Sequence, residues 1–309
     1  MTANLRKVAL VGGSGQLGPY LLKALQADPA FEVTVVSRQS STASFPPNTS
    51  IVRVSDSYQK NEFLDVFKGQ DAVVLSLNFP AEQQHHNMLV DASVEAGVKR
   101  LIPSIWSGRL DIPEVRQIFP LAASKAGLLE YVKFKEGSAP GWSYTAVVCG
   151  PFHDLCVRTN FYDMDPRSHS ATIWDDGNAK FSVTTHDTIG LAVTKILRKP
   201  SETANRTVYI SSFETSMNEL LAAYKSATGV PEWKVTHGDV EQGIKEAQEV
   251  ITSSENFMDR MQAIGRLGLL VGLKEGLGGD FVAEGLSDNE LLELPRNDVT
   301  ETVMKLLNV

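Results

Sequence analysis

The chain is poor in several things, and each shortage closes off a class of protein. Its 309 residues include two cysteines, Cys149 and Cys156. Seven apart and with no second pair, they form no zinc pattern, and they read as buried free thiols in a reducing compartment. The six histidines contain no His-x-x-x-His pair, and the adjacent His85 and His86 are no usual chelate, so no metal is expected. Positive charge is scarce: a net charge of −8 argues against a nucleic-acid binder that works through a basic face. Long apolar runs are missing too. The longest near the C-terminus, Leu267–Leu273, is too short to span a bilayer, so no membrane is expected. The start, Met-Thr-Ala-Asn-Leu-Arg-Lys, carries no apolar signal region, and the default address is the cytoplasm. Internal repeats and low-complexity tracts are also missing.

What the chain does have is alternation. Short apolar runs at 6–11, 31–37, 51–54, 71–77, 99–104 and 144–149 read as strands covered on both faces. Helical patterns near 17–27, 59–68, 82–96 and 122–136 lie between them. This order predicts an α/β fold with a doubly wound parallel sheet, forming a first domain over residues 1–155. After about residue 155 the rhythm breaks. A strand-like stretch at 205–210, a helix from Ser216 to Thr228 and a polar helical stretch at 239–264 follow. A capped short helix is expected to open at Ser287, with Glu290 three residues on. These predict a smaller mixed α/β region over 156–309 that covers the C-terminal strand ends and completes a substrate pocket.

The most informative stretch is Lys7-Val-Ala-Leu-Val-Gly-Gly-Ser-Gly-Gln-Leu-Gly18, followed by Pro19 and an apolar helical pattern. It reads strand, tight turn, helix. Gly12 permits the sharp turn, Gly15 leaves room for a pyrophosphate, and Gly18 lets the helix pack close to the sheet. The amides at the helix start face the phosphates. Gly13, Ser14, Gln16 and Leu17 complete this expected cofactor loop. Twenty residues after Gly18 stands Arg38. A carboxylate there suits the ribose of NAD, whereas an arginine suits the 2′-phosphate of NADP through charge-assisted forks, and Ser37 adds a hydroxyl. NADP(H) is therefore the expected cofactor. Asp56 either accepts from the adenine or caps the next helix. The Leu77 and Asn78 backbone is expected along the cofactor, with Phe79 towards the nicotinamide.

The segment Pro120-Leu-Ala-Ala-Ser-Lys-Ala-Gly127 resembles the Tyr-x-x-x-Lys helix of short-chain dehydrogenase/reductases, with Leu121 in the tyrosine position and Lys125 in place. Together with the glycine spacing, Arg38 and Leu101-Ile-Pro-Ser-Ile-Trp-Ser-Gly108, the chain resembles the NmrA-like and isoflavone reductase-like group, clearly over about 5–155. The resemblance implies a Rossmann domain with NADPH, a lysine that serves the active site, and a nicotinamide cover at Gly150-Pro-Phe-His153, including Pro151 and Phe152. Leu121 is the departure, because it cannot exchange the proton that a phenol would. Tyr131 and Lys135 repeat the spacing ten residues downstream, too far along the helix to serve.

Lys125 is thus either a proton carrier or a structural contact to the nicotinamide ribose. His153, beside the expected nicotinamide cover, is the second catalytic candidate. Trp106 is read as a substrate wall or core filler, and His86 as a further substrate-facing acid. His186 reads as structural, beside an Asp187 N-cap. Two functions follow. One is an NADPH-dependent oxidoreductase that reduces a small aromatic or conjugated carbonyl or enone. The other is a dinucleotide-binding redox sensor with a protein partner and no turnover. An isomerase or cyclase that borrows the fold is a third.

Overall fold

A computed structural model describes residues 5–307. Met1–Asn4, part of the N-terminal stretch read above, lie outside the described residues. The first half runs β1 (Lys7–Val11), α1 (Gly18–Ala27), β2 (Glu32–Arg38), β3 (Ser50–Val54), α2 (Lys60–Phe67), β4 (Ala72–Leu75), α3 (Phe79–Glu95), β5 (Arg100–Ile102), α4 (Pro113–Ile118), α5 (Pro120–Phe134) and β6 (Ser143–Val148). Then come α6 (His153–Thr159), β7 (Met164–Asp165), β8 (Ser170–Trp174), β9 (Phe181–Val183), α7 (His186–Arg198), β10 (Arg206–Tyr209), β11 (Phe213–Thr215) and α8 (Met217–Thr228). The chain ends with β12 (Lys234–Gly238), α9 (Val240–Ser253), α10 (Phe257–Leu273) and α11 (Val299–Leu307).

The apolar runs form strands because both faces of the sheet are covered. Val8–Val11 and Ala72–Leu75 are fully buried. Seven strands pair in parallel in the order β10-β6-β5-β4-β1-β2-β3. Strand order reverses on either side of β1, so a crevice opens beside its C-terminal end, where the glycine turn follows. One apolar cluster covers each face of the sheet. A three-stranded sheet β12-β8-β7 and the antiparallel pair β11-β9 lie outside it.

Some expectations need correction. The sheet does not end at residue 155: β10 supplies its outer strand, and α7 packs against α1. Gly190 permits that crossing, since a Cβ there would lie 2.6 Å from the Tyr20 carbonyl oxygen. The second half therefore interleaves with the first, and only its remaining elements build the mixed layer. The stretch at 239–264 is two helices rather than one, broken before Asn256, whose side chain caps α10 by accepting from Met258 N at 2.9 Å. No helix opens at Ser287. That residue bridges Tyr209 of β10, and Asp288 accepts from Tyr209 N at 2.9 Å, so tertiary pairing overrides the local capping pattern. Thr185, not Asp187, caps α7.

Candidate cofactor and substrate site

The turn after β1 is shaped by its glycines. Gly12 has φ +87°, and a Cβ there would overlap the Ser76 carbonyl. At Gly18 a Cβ would overlap the Gly12 carbonyl. Both positions thus serve the turn and the close helix start. Gly15 differs: its Cβ would meet Gly12 O at 3.4 Å and Ser76 O at 3.8 Å, ordinary contact distances. The protein leaves space there that a side chain would fill. Helix α1 starts at Leu17 without a side-chain cap, and Pro19 contributes no N–H. The amides of Gln16, Leu17 and Gly18 find no protein acceptor among the described residues. Free amides at a helix start, next to the exposed stretch Ser14–Gln16, fit a phosphate group. Leu17 can contribute only backbone, because its side chain is 3% exposed and belongs to the core.

At the end of β2, Arg38 is exposed and Ser37 is buried. No local pattern in the sequence marks Arg53, yet β3 pairs it with Ser37. Its guanidinium donates to Ser37 Oγ at 3.1 Å, to the Arg38 carbonyl at 2.9 Å and to the Ser41 carbonyl at 3.1 Å. Neighbouring strands thus each carry an arginine at this strand end, a setting that suits a phosphate monoester. Asp56 does not cap α2, whose N-cap is Gln59. Its carboxylate instead accepts from Ser40 N and Oγ, at 3.3 and 2.8 Å, fixing the loop after Arg38. Across the crevice, Leu77 N donates to Ser104 Oγ at 3.1 Å, and the Asn78 side chain caps α3. Phe79 is 52% exposed at the first turn of α3 and does not line the cavity described next, so its substrate role is not supported.

Beyond the strand ends lies an apolar cavity of about 300 Å³. Trp106, Leu121, Lys125, Phe152, Phe281 and helix α10 line it. Trp106 combines the two readings made of it: it lines the cavity, while its indole N–H donates to the Leu75 carbonyl at 3.1 Å. On α10, Gly265, Gly268 and Gly272 share the cavity face. The Phe161 ring lies over Gly265, whereas a Cβ at Gly268 would meet only Phe119, at 3.5 Å, and one at Gly272 nothing within 4 Å. These last two leave the wall as bare backbone and so widen the cavity. Lys125 is the buried cation in this wall. Its Nζ donates to Glu82 Oε2 at 2.6 Å and to the Ser104 carbonyl at 2.9 Å. Burial pushes the lysine ammonium below its usual range and the Glu82 carboxyl above its own, and their attraction opposes both shifts. Glu82 was not singled out in the sequence, where it is one more acid in a first helical turn.

Two histidines are corrected. His153 is fully buried and turned away from the cavity that its neighbours Pro151 and Phe152 line. Its Nδ1 pairs with Tyr162 OH at 2.9 Å, its ring abuts Phe213, and burial pushes its pKa down to about 4. Off the cavity and held neutral by burial, it is not placed to act as the acid. His86 is also fully buried, off the cavity, and pushed down to about 4. His186 is packed between Tyr20 and Phe152, with Asp154 accepting from its backbone N–H at 2.9 Å. Tyr131 and Lys135 both bind Asp91, at 2.8 and 2.7 Å, away from the cavity. Cys149 and Cys156 are buried free thiols, and no metal-binding cluster or membrane-crossing helix occurs among the described residues.

The buried histidines carry a stability prediction. Unfolded, each takes up a proton near pH 6.5; folded, only near 4. Their contribution is complete above about pH 6.5 and is lost as pH falls from there towards 4. In urea unfolding, the parent is expected to lose more stability between about pH 7 and pH 5 than His86→Leu. Equal losses would show that the buried neutral ring is not responsible.

A model of the NmrA-like family matches residues 4–278. The chain is 34% identical over 302 residues to the oxidoreductase aprR of Aspergillus flavus, covering 97% of this chain and 98% of that one. Among solved structures, it resembles an isoflavone reductase with a TM-score of 0.74 at 20% identity, covering 98% and 99% of the two chains. It also resembles AtPrR2, solved with NADP+ and (+)pinoresinol, with a TM-score of 0.73 at 19% identity, covering 99% and 100%. A seven-stranded parallel sheet with its crevice at the glycine turn, and a family match across most of the chain, lead to one conclusion: this protein belongs to the NmrA-like family.

Proposed function

We propose that this chain is an NADP(H)-dependent oxidoreductase that reduces a small aromatic or conjugated carbonyl, an enone being the simplest case. The observation that carries the reading is Lys125, an ammonium set in the wall of a largely apolar cavity beside Gly150–Phe152. The near-full-length relative named as an oxidoreductase and the NADP+ complex of AtPrR2 support it.

In this reading the Gly12–Gly18 backbone holds the pyrophosphate. Ser37, Arg38 and Arg53 hold the 2′-phosphate, and Asp56 faces the adenine from the same rim. The Leu77–Asn78 backbone runs beneath the dinucleotide, while Pro151 and Phe152 cover its nicotinamide end. When bound, the reduced cofactor supplies a hydride. Lys125 donates a proton to the substrate oxygen, the task for which Leu121 has no group. Trp106, Phe152 and Phe281 exclude water and, with α10, enclose a flat substrate.

Leu121 in the phenol slot favours the alternative, a dinucleotide sensor with a protein partner. The test titrates the protein with NADPH by nicotinamide fluorescence, then offers conjugated carbonyls and follows loss of the reduced cofactor. Turnover is the expected result. Tight NADPH binding with no acceptor reduced, but with altered affinity for a protein partner, would give the sensor the decision.

Cofactor choice has its own test. Arg38→Ala is expected to weaken NADPH by roughly ten- to a hundredfold and leave NADH nearly unaffected, because a hydrogen bond to a charged group contributes about 1.5–3 kcal/mol. Equal losses for both cofactors would remove Arg38 from the 2′-phosphate site.

A further inference from the structure

We infer that Glu82 is the positioning residue of this site: it holds Lys125 as a charged ammonium aimed at the cavity, so a buried Glu–Lys pair stands in for the absent Tyr–Lys pair. The inference rests on the Lys125 role proposed above and extends it to a second residue.

The geometry makes the case. An ammonium has three N–H donors. Glu82 Oε2 and the Ser104 carbonyl take two of them, at 2.6 and 2.9 Å, and leave one for a group in the cavity. The carboxylate is itself held in place. The Asn78 side chain caps α3 through Ala81 N at 3.0 Å, and Glu82 N donates to the Asn78 carbonyl at 2.9 Å. Glu82 is 1% exposed, although a first-turn acid ordinarily sits in water beside the helix dipole. Apolar side chains in both places would serve stability at least as well.

The other ionisable groups near Lys125 supply no counter-charge. His86 comes from the same face of α3, one turn on, and its pKa of about 4 leaves it neutral. Cys149, at the end of β6, is a thiol pushed up to about 12. Arg109 lines the same cavity, but Asp111 and Glu284 hold its guanidinium. Glu82 is the one carboxylate bonded to Lys125 among the described residues.

The step balances. Where a bound reduced cofactor would supply a hydride to the conjugated carbon, Lys125 would supply the proton: its N–H bond would break and an O–H bond would form at the substrate oxygen. Lys125 becomes a neutral amine beside the Glu82 carboxylate, and water restores its proton after product leaves. Because the ammonium is the active form, the rate falls as pH rises through the Lys125 pKa.

The test measures that pKa in the whole protein by NMR of labelled lysine side-chain carbons, with the Lys125 signal identified by its loss in Lys125→Met. In Glu82→Gln, the pKa of Lys125 is expected to drop by about 1–3 units. The basic limb of the single-turnover rate should move down with it, while NADPH affinity stays unchanged. Glu82→Asp, which keeps the charge on a shorter arm, should restore part of both shifts. An unchanged Lys125 pKa in Glu82→Gln would overturn the inference. If that variant does not fold, the smaller shift expected in Glu82→Asp decides, and its absence has the same force. A shifted pKa with a full single-turnover rate in Lys125→Met would leave the pair standing and sink the proton-donor reading instead.

Discussion

Lys125→Met is expected to slow the chemical step by roughly a hundred- to ten-thousandfold, the range that a general acid ordinarily supplies. The rate is read in single turnovers at saturating NADPH, where any binding defect no longer limits. Methionine keeps most of the volume of the lysine stem, so the cavity wall and the α5 packing of Ala122, Ala126 and Leu129 should persist. The substitution leaves the Glu82 carboxyl buried without its partner, and unpaired buried charges destabilise. The double variant Glu82→Gln with Lys125→Met removes both charges and controls for that effect. A comparable rate loss in the double variant, with a thermal midpoint near that of the parent, would assign the loss to the missing proton donor. A single variant with the full parent rate would show that Lys125 only braces the site. Leu121→Tyr is the companion change: Leu121 lies one helical turn before Lys125 and lines the cavity, so a phenol there should partly rescue Lys125→Met.

The second large effect is expected at Gly15. Gly15→Val should remove most NADPH binding and leave the fold intact. A Cβ there meets its nearest protein atom at 3.4 Å, an ordinary contact, and the space that the rest of the side chain takes up is where a pyrophosphate would approach. Forcing atoms into a packed contact costs about 1–3 kcal/mol, which corresponds to as much as a hundredfold in affinity. Gly12→Ala and Gly18→Ala provide the contrast. Their Cβ atoms would overlap backbone carbonyls, so those variants should lose thermal stability before binding can be assessed. Nicotinamide fluorescence and thermal unfolding separate the cases. Parent-like NADPH affinity in a folded Gly15→Val protein would remove the phosphate site from this loop.

The architecture was readable because its signals are local. A strand buried on both faces needs a continuous apolar run, and a turn with φ +87° needs glycine, so Lys7–Gly18 and the alternation down to β6 could be seen without coordinates. Arg38 was legible for the same reason, as it closes the strand that follows the turn. Much of the site was not local. Glu82 and Lys125 lie 43 residues apart, on two helices that meet only after the sheet has placed them. Arg53 reaches Ser37 because of the register between β2 and β3, which the hydrophobic pattern of exposed edge strand β3 does not specify. The glycine face of α10 acquires its meaning from the wall opposite, supplied by another part of the chain.

His153 shows the limit most plainly. Phe152 lines the cavity and His153, the next residue, points into the core against Phe213. Phe152 is still extended, as the N-cap of α6, and side chains that follow one another in extended backbone point to opposite sides, so a position one residue along the motif faces the other way. The sequence by itself determined the strands β1 to β6, the glycine turn and the lysine left without its tyrosine. Tertiary structure alone decided which acid meets that lysine, which histidines are shut away from water, and where the cavity opens, because those depend on packing between segments distant in the chain.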